Sequence, residues 1–275
     1  MHGGMPLPVK TADYGTLPDG RAVTKFVLEN GAGMRVELLD YGAMLAGVAT
    51  PDREGRVAEI THGYDDLAGW MADSSYFGAT IGRFGNRIAR GEFSLSGKHY
   101  RLATNNSPAG QPCHLHGGQA GFNKRLWQGR VVERAGASGV EFSYVSASGE
   151  EGYPGNLAVR TTYWLEDAGE LRIEFQATTD EATIVNLTNH AYWNLSGDPR
   201  RPITDHVAQL EADAFLPVTA GLIPTGERRA VAGTPFDFSK PTAIGAHIAE
   251  TDEQLAFGGG YDHCWVLRGE PKLRR

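Results

Sequence analysis

The sequence predicts an all-β chain built as a large antiparallel β-sandwich, and three observations carry that prediction. Apolar and polar side chains alternate with a period of two in several runs. Turn residues are dense between those runs, with 36 Gly and 14 Pro in 275 residues. Helical periodicity is confined to short stretches, and close-spaced strands with turns between them pack as sandwiches.

Each element follows in order. Arg35-Val36-Glu37-Leu38 alternates briefly, and Val140-Glu141-Phe142-Ser143-Tyr144 repeats the pattern. Ala158 to Leu165 is rich in Thr, Tyr, Trp and Val, a strand composition. Leu171-Arg172-Ile173-Glu174-Phe175-Gln176-Ala177 alternates without a fault, so it is expected to bury one face and wet the other. Turns are expected at Asp19-Gly20, Asn30-Gly31, Ser96-Gly97, Tyr153-Pro154-Gly155 and Ala168-Gly169. Helix candidates are few and short, such as Asp65 to Met71 and Glu250 to Leu255. Tyr261 to Leu267 reads as the start of a buried strand, and Arg268 to Arg275 follows it. A sheet ending there leaves an open edge, which a homodimer would cover. With no linker and no low-complexity stretch, residues 1–275 read as a single domain.

Composition narrows the function. Lys plus Arg is 26 against 33 Asp plus Glu, a net charge of −7, and no basic stripe occurs, so a nucleic-acid partner is not expected. No apolar run approaches a membrane span, and Met1-His2-Gly3-Gly4-Met5-Pro6 opens no signal peptide. Two cysteines, Cys113 and Cys264, make no disulfide framework. The expectation is a cytoplasmic protein with a polar small-molecule partner.

The chemistry-bearing residues are mostly histidines: His114, His116, His190 and His263, each with Asn, Asp or Gly nearby. An imidazole titrates near neutrality and suits proton transfer, although any single one is more often a hydrogen-bonded structural residue. His114 and His116 share a face if their segment is extended, a spacing that can bind metal as in cupin-like enzymes. The glutamate that pattern needs a few residues on is missing from Gln119-Ala120-Gly121-Phe122-Asn123. Gly117 and Gly118 instead suggest a tight backbone that lets a ligand approach His116. Asn186 to Leu195 mixes amides, an imidazole and aromatic rings, which suits the hydroxyl rims and C–H faces of a sugar, or equally a strand with a polar edge. Gly82-Arg83-Phe84-Gly85-Asn86-Arg87-Ile88 adds guanidinium and amide donors without a nucleotide-loop spacing. Asp262, after Gly258-Gly259-Gly260, reads as a carboxylate on a flexible glycine run that accepts from two hydroxyls, or as a turn aspartate.

Six segments in this order resemble the aldose 1-epimerase (galactose mutarotase) family. They are Gly82 to Ile88, Leu115-His116-Gly117-Gly118, Asn186 to Leu195, Leu222-Ile223-Pro224-Thr225-Gly226-Glu227, Thr234-Pro235-Phe236-Asp237-Phe238 and Gly260-Tyr261-Asp262-His263. The resemblance implies a galactose mutarotase-like sandwich, interconversion of the α and β anomers of hexoses such as galactose and glucose, and no metal or organic cofactor. It further implies that His190 is the acid at the ring oxygen and His116 its second histidine. Asn86, Arg87 and Asp262 are implied to grip sugar hydroxyls. The family's base is a glutamate well beyond its Tyr-Asp-His motif. No counterpart stands in the sequence through Arg275, and neither Glu227 nor Asp237 has that role in the family. A chain incomplete on its C-terminal side with weak turnover is therefore expected, the rivals being a sugar-binding protein without turnover and a cupin-like metalloenzyme using His114 and His116.

Overall fold

A computed structural model describes residues 8–269. Five antiparallel strands, Lys10–Thr16, Ala22–Glu29, Arg35–Leu39, Met44–Pro51 and Val57–Glu59, lie side by side in chain order. A second antiparallel sheet orders Gln128–Arg134, Ala137–Ser146, Leu157–Glu166 and Leu171–Thr179 the same way. Short hairpin turns link successive strands, and this is why the predicted turn pairs fall between elements. Phe26, Leu28, Val36, Leu38 and Val48 of the first sheet form one buried cluster with Val140, Phe142, Leu157 and Val159 of the second. Phe26 meets Phe142 edge to face at 5.5 Å between ring centres. Burial of two facing apolar surfaces is the main force holding such a sandwich.

Three expectations need correction. Leu171–Thr179 is the outer strand of its sheet, and none of its residues is fully buried. Leu171 and Ile173 do point at the core, but a strand with a neighbour on one side only stays half-exposed. Among the described residues Cys264–Leu267 pairs only with Ala212–Leu216, and none of its four residues is fully buried, so it is not a buried strand. The second helix runs Glu253–Gly258, not from residue 250, because the Asp252 side chain accepts from the Gln254 and Leu255 amides and caps it there. The first is Leu67–Ala72, capped by Asp66 through the Gly69 amide. Residues 270–275 of the expected tail lie outside the described residues.

A small ladder places the site. Thr188–Asn189 pairs antiparallel with Thr80–Ile81. Tyr163, fully buried in the second sheet, donates its hydroxyl to the Ala43 carbonyl at 2.8 Å and receives the Asn189 amide at 3.1 Å. Asn189 also donates to the Gly78 carbonyl at 2.8 Å. Gly78 is at φ 60°, and a Cβ there would stand 1.9 Å from the Leu45 carbonyl oxygen, so only glycine fits. The core of the sandwich is thereby bolted to the residue before His190. Tyr163→Phe should cost about 1 kcal/mol in urea denaturation, and should speed exchange of the His190 amide, which bonds the Ala79 carbonyl.

Candidate active site

The segment after Ile81 begins with a residue whose role is structural. Arg83 is fully buried. Its guanidinium donates to the carbonyls of Ser146, Ala147 and Pro154 and to the Ser146 hydroxyl, at 2.7–2.9 Å. With a longer bond from Nη1 to the Thr183 hydroxyl at 3.5 Å, all five of its N–H groups are spent inside the protein, on residues 146–154 and Thr183, so it has no donor left for a ligand, unlike what its motif suggested. Asn86, three residues on, is exposed at φ 64°, and Arg87 opens the strand Arg87–Ala89. Arg87 donates to the side chains of Asn106 and Asn86.

His116 closes against this segment. Its backbone amide donates to the Asn86 carbonyl at 3.2 Å, and its Nδ1 accepts the Asn86 amide at 2.9 Å. A backbone N–H is always a donor, so Nδ1 is unprotonated and the ring proton sits on Nε2. Burial, then the neighbouring His190 and Arg87, drops the His116 pKa to about 3, so the ring is neutral at physiological pH.

His114 does not share its face. The strand Cys113–Leu115 ends before His116, whose φ of 52° breaks the alternation. His114 is buried, donates from Nδ1 to the Ala103 carbonyl and accepts the Tyr153 hydroxyl at Nε2, each at 2.7 Å. Both nitrogens are committed inside the protein, which overturns the metal-site reading. The glycines after His116 are also differently used. A Cβ on Gly117 would lie 1.7 Å from the Gly82 carbonyl oxygen, so the close approach is the chain's own backbone and not a ligand.

His190 arrives from the other direction, held by its own amide on Ala79 and by its carbonyl, which accepts from Gly78. Its ring centre lies 5.0 Å from that of His116, with the planes 83° apart. Burial lowers its pKa, while Asp262 and Asp73 pull the other way. Tyr192 leans on His190 at 5.3 Å and is exposed. The amides of the same segment are structural: Asn186 serves Gly85, and Asn194 serves Asp198 and Arg201.

Asp262 is exposed and within electrostatic reach of both His190 and Tyr192. Its glycine run is no flexible tether: Gly259 and Gly260 both donate to the Leu255 carbonyl and end the helix. His263 turns inward between Phe215 and Phe236 and hydrogen-bonds Gln254. Asp73, the other carboxylate felt by His190, is spent on the amides of Ser75 and Phe77 and the Tyr64 hydroxyl. Sequence reasoning missed Asp73 and Tyr76, whose ring contacts both imidazoles; nothing in a single chain marks an aromatic residue as a neighbour of distant histidines.

The arrangement brings His116, His190, Asn86, Arg87 and Asp262 together. Two imidazoles that burial keeps neutral, a guanidinium, an amide and a carboxylate form a polar cluster on a β-sandwich, groups chemically able to exchange protons and hydrogen bonds. The sequence profile described as Aldose 1-epimerase matches residues 24–274. A galactose mutarotase from Bos taurus is 45% identical over 267 residues, covering 97% of this chain and 74% of that protein. An aldose 1-epimerase from Escherichia coli (strain K12) is 37% identical, covering 92% of this chain and 70% of its own length. The crystal structure of a galactose 1-epimerase from Lactobacillus acidophilus NCFM superposes with a TM-score of 0.85 at 28% identity, over 97% of this chain and 76% of that one. The chain belongs to the aldose 1-epimerase family.

The neutral imidazoles make stability pH-dependent. Below about 6.5 the unfolded chain protonates its histidines, while folded His116 stays neutral until its own value near 3. The unfolded state then binds more protons, so stability falls as pH falls through that window. Unfolding free energies from urea titrations at pH 7.5 and pH 5 should differ by about 2 kcal/mol from His116 alone, and the difference should shrink in His116→Gln.

Proposed function

We propose that the chain is an aldose 1-epimerase that interconverts the α and β anomers of hexoses such as galactose and glucose by acid–base ring opening. The observation that carries this reading is the crossed imidazole pair, with Asn86 and Arg87 beside His116 and Asp262 in the field of His190. Anomer exchange needs the C1 hydroxyl to lose a proton while the ring oxygen gains one. The ring opens to the aldehyde, the C1–C2 bond turns, and closure on the other face reverses both transfers.

His190 is the proposed acid at the ring oxygen. Its lowered pKa means that only a minority is protonated at neutral pH, and that minority gives up its proton readily. His116 is the proposed partner at the same oxygen: with its proton fixed on Nε2, it donates a hydrogen bond without carrying charge. Asn86, Arg87 and Asp262 are the proposed grips on sugar hydroxyls. Of the two carboxylates in the field of His190, only Asp262 is uncommitted among the described residues. A second reading is that the site binds sugar without turning it over.

No helix among the described residues is long and apolar enough to cross a membrane. The reading includes a reducing, cytoplasmic setting and a homodimer that covers the half-exposed edge strand Leu171–Thr179 and the exposed Trp193 and Leu195. A monodisperse monomer in light scattering would refute the dimer.

Polarimetry of freshly dissolved α-D-galactose and α-D-glucose tests the activity. Accelerated mutarotation should be lost in His190→Ala, a drop of about 100-fold or more. Its kcat/KM should fall as pH rises from 6 to 8, following loss of the proton on His190. Sugar binding without acceleration would leave the second reading standing, and no binding at all would sink both.

A further inference from the structure

Three rings close a triangle at the site. His116 and His190 stand 5.0 Å apart, Tyr76 lies 4.7 Å from His116 at 72°, and Tyr76 lies 5.7 Å from His190 at 39°. Among the described residues, Tyr76 is the one other ring that touches both imidazoles.

Its backbone is held in an unfavourable conformation to do so. Tyr76 sits at φ 60°, a region that costs a bulky L-residue on the order of 1–2 kcal/mol. Such a conformation persists only where neighbours over-determine it. Here Asp73 does so: one carboxylate oxygen accepts the Ser75 amide at 2.9 Å and the other the Phe77 amide at 3.0 Å, one residue to each side of Tyr76. Asp73 is buried and further fixed by the Tyr64 hydroxyl at 3.0 Å. The Tyr76 carbonyl accepts the Ala79 amide, one residue before the Thr80–Ile81 ladder.

We propose that Tyr76 is a positioning residue for the imidazole pair, its strained backbone clamped by Asp73 so that the ring fixes the crossed angle between His116 and His190. A plain packing role for the Tyr76 ring against Trp70 and Ile81, with which it shares a cluster, would need neither the strain nor contact with both imidazoles. The ring is what acts. Its hydroxyl has no hydrogen-bond partner among the described residues and is dispensable for the clamp. The groups facing it are His116, His190, Arg87 and Asp73.

This inference rests on the function proposed above for its kinetic readout but not for its spectroscopic one. Two variants separate ring from hydroxyl. Tyr76→Phe keeps the ring, whereas Tyr76→Gly removes it and adopts positive φ without strain, so that folding is preserved. With galactose and polarimetry, Tyr76→Phe should keep kcat within about twofold. Tyr76→Gly should lose kcat by about tenfold or more with KM little changed, because misaligned groups cost rate more than binding. In NMR titrations of the imidazole carbons, the His190 midpoint should rise toward its ordinary value in Tyr76→Gly, as the ring that buries it is gone, and stay put in Tyr76→Phe.

Unchanged kcat and an unchanged His190 midpoint in Tyr76→Gly would overturn the proposal. So would a Tyr76→Phe variant as impaired as the glycine one, which would assign the role to the hydroxyl. If the unaltered chain shows no mutarotation, the functional reading falls and the NMR arm alone decides. Identical imidazole signals with and without the ring would then end the proposal, and displaced ones would uphold it.

Discussion

The site depends on one small constraint, the two-residue ladder between Thr80–Ile81 and Thr188–Asn189 with the Tyr163 hydroxyl behind it. His116 and His190 are 74 residues apart in sequence, and neither sits inside a long strand that would fix it. What fixes them is a run of backbone bonds between two loops: Gly78 to His190, His190 to Ala79, and His116 to Asn86. Two residues of ladder cannot offset the entropy of closing so long a loop. The sandwich core offsets it instead. Tyr163 belongs to that core and contributes one buried hydroxyl to the ladder, so the stability of the large apolar interface is transmitted to a few polar bonds at the site.

Burial decides the electrostatics. His190 has two carboxylates in its field, and either alone would raise its pKa; the shift is nonetheless downward, so loss of water outweighs both. His116 has no carboxylate to help it and faces a guanidinium and a second imidazole, and it falls further. The pair is therefore electrically asymmetric despite being chemically identical. Both rings are lowered by burial, but only His190 has carboxylates in its field to oppose the fall. This division follows from where Arg87 and Asp262 stand, and it suits a reaction in which one group must transfer a proton to an oxygen that another merely orients.

Much of the architecture was legible. Alternation at residues 35–38 and 140–144 reflects faces that the structure does bury, Val36 and Leu38 in one strand and Val140 and Phe142 in the other. Periodicity reports which side chains share a face, but not whether anything covers that face. This is why Leu171–Thr179 looked like an ordinary amphipathic strand and proved half-exposed. The two histidines at 114 and 116 show a similar limit. Spacing placed them on one face, but a left-handed φ at His116, stabilised by its reciprocal bonds with Asn86, sends the second ring elsewhere. The order of six motifs was informative where single residues were not, because each motif mixes a site residue with the structural residues that carry it.

That mixture explains why composition alone overstates a sugar site. Asn186, Asn189 and Asn194 look like sugar-binding amides, yet each is bonded to the backbone of a neighbouring loop. Arg83 looks like an anion grip and spends its donors on carbonyls. A buried polar group without a partner is costly, so the fold satisfies its own buried polar groups first. Among the described residues, the uncommitted groups around the crossed imidazoles include the Nε2–H of His116, the His190 ring and the Asp262 carboxylate, with Asn86 and Arg87 only partly engaged. Polar residues that already serve the backbone build the site, and those left unsatisfied are the ones a ligand can use.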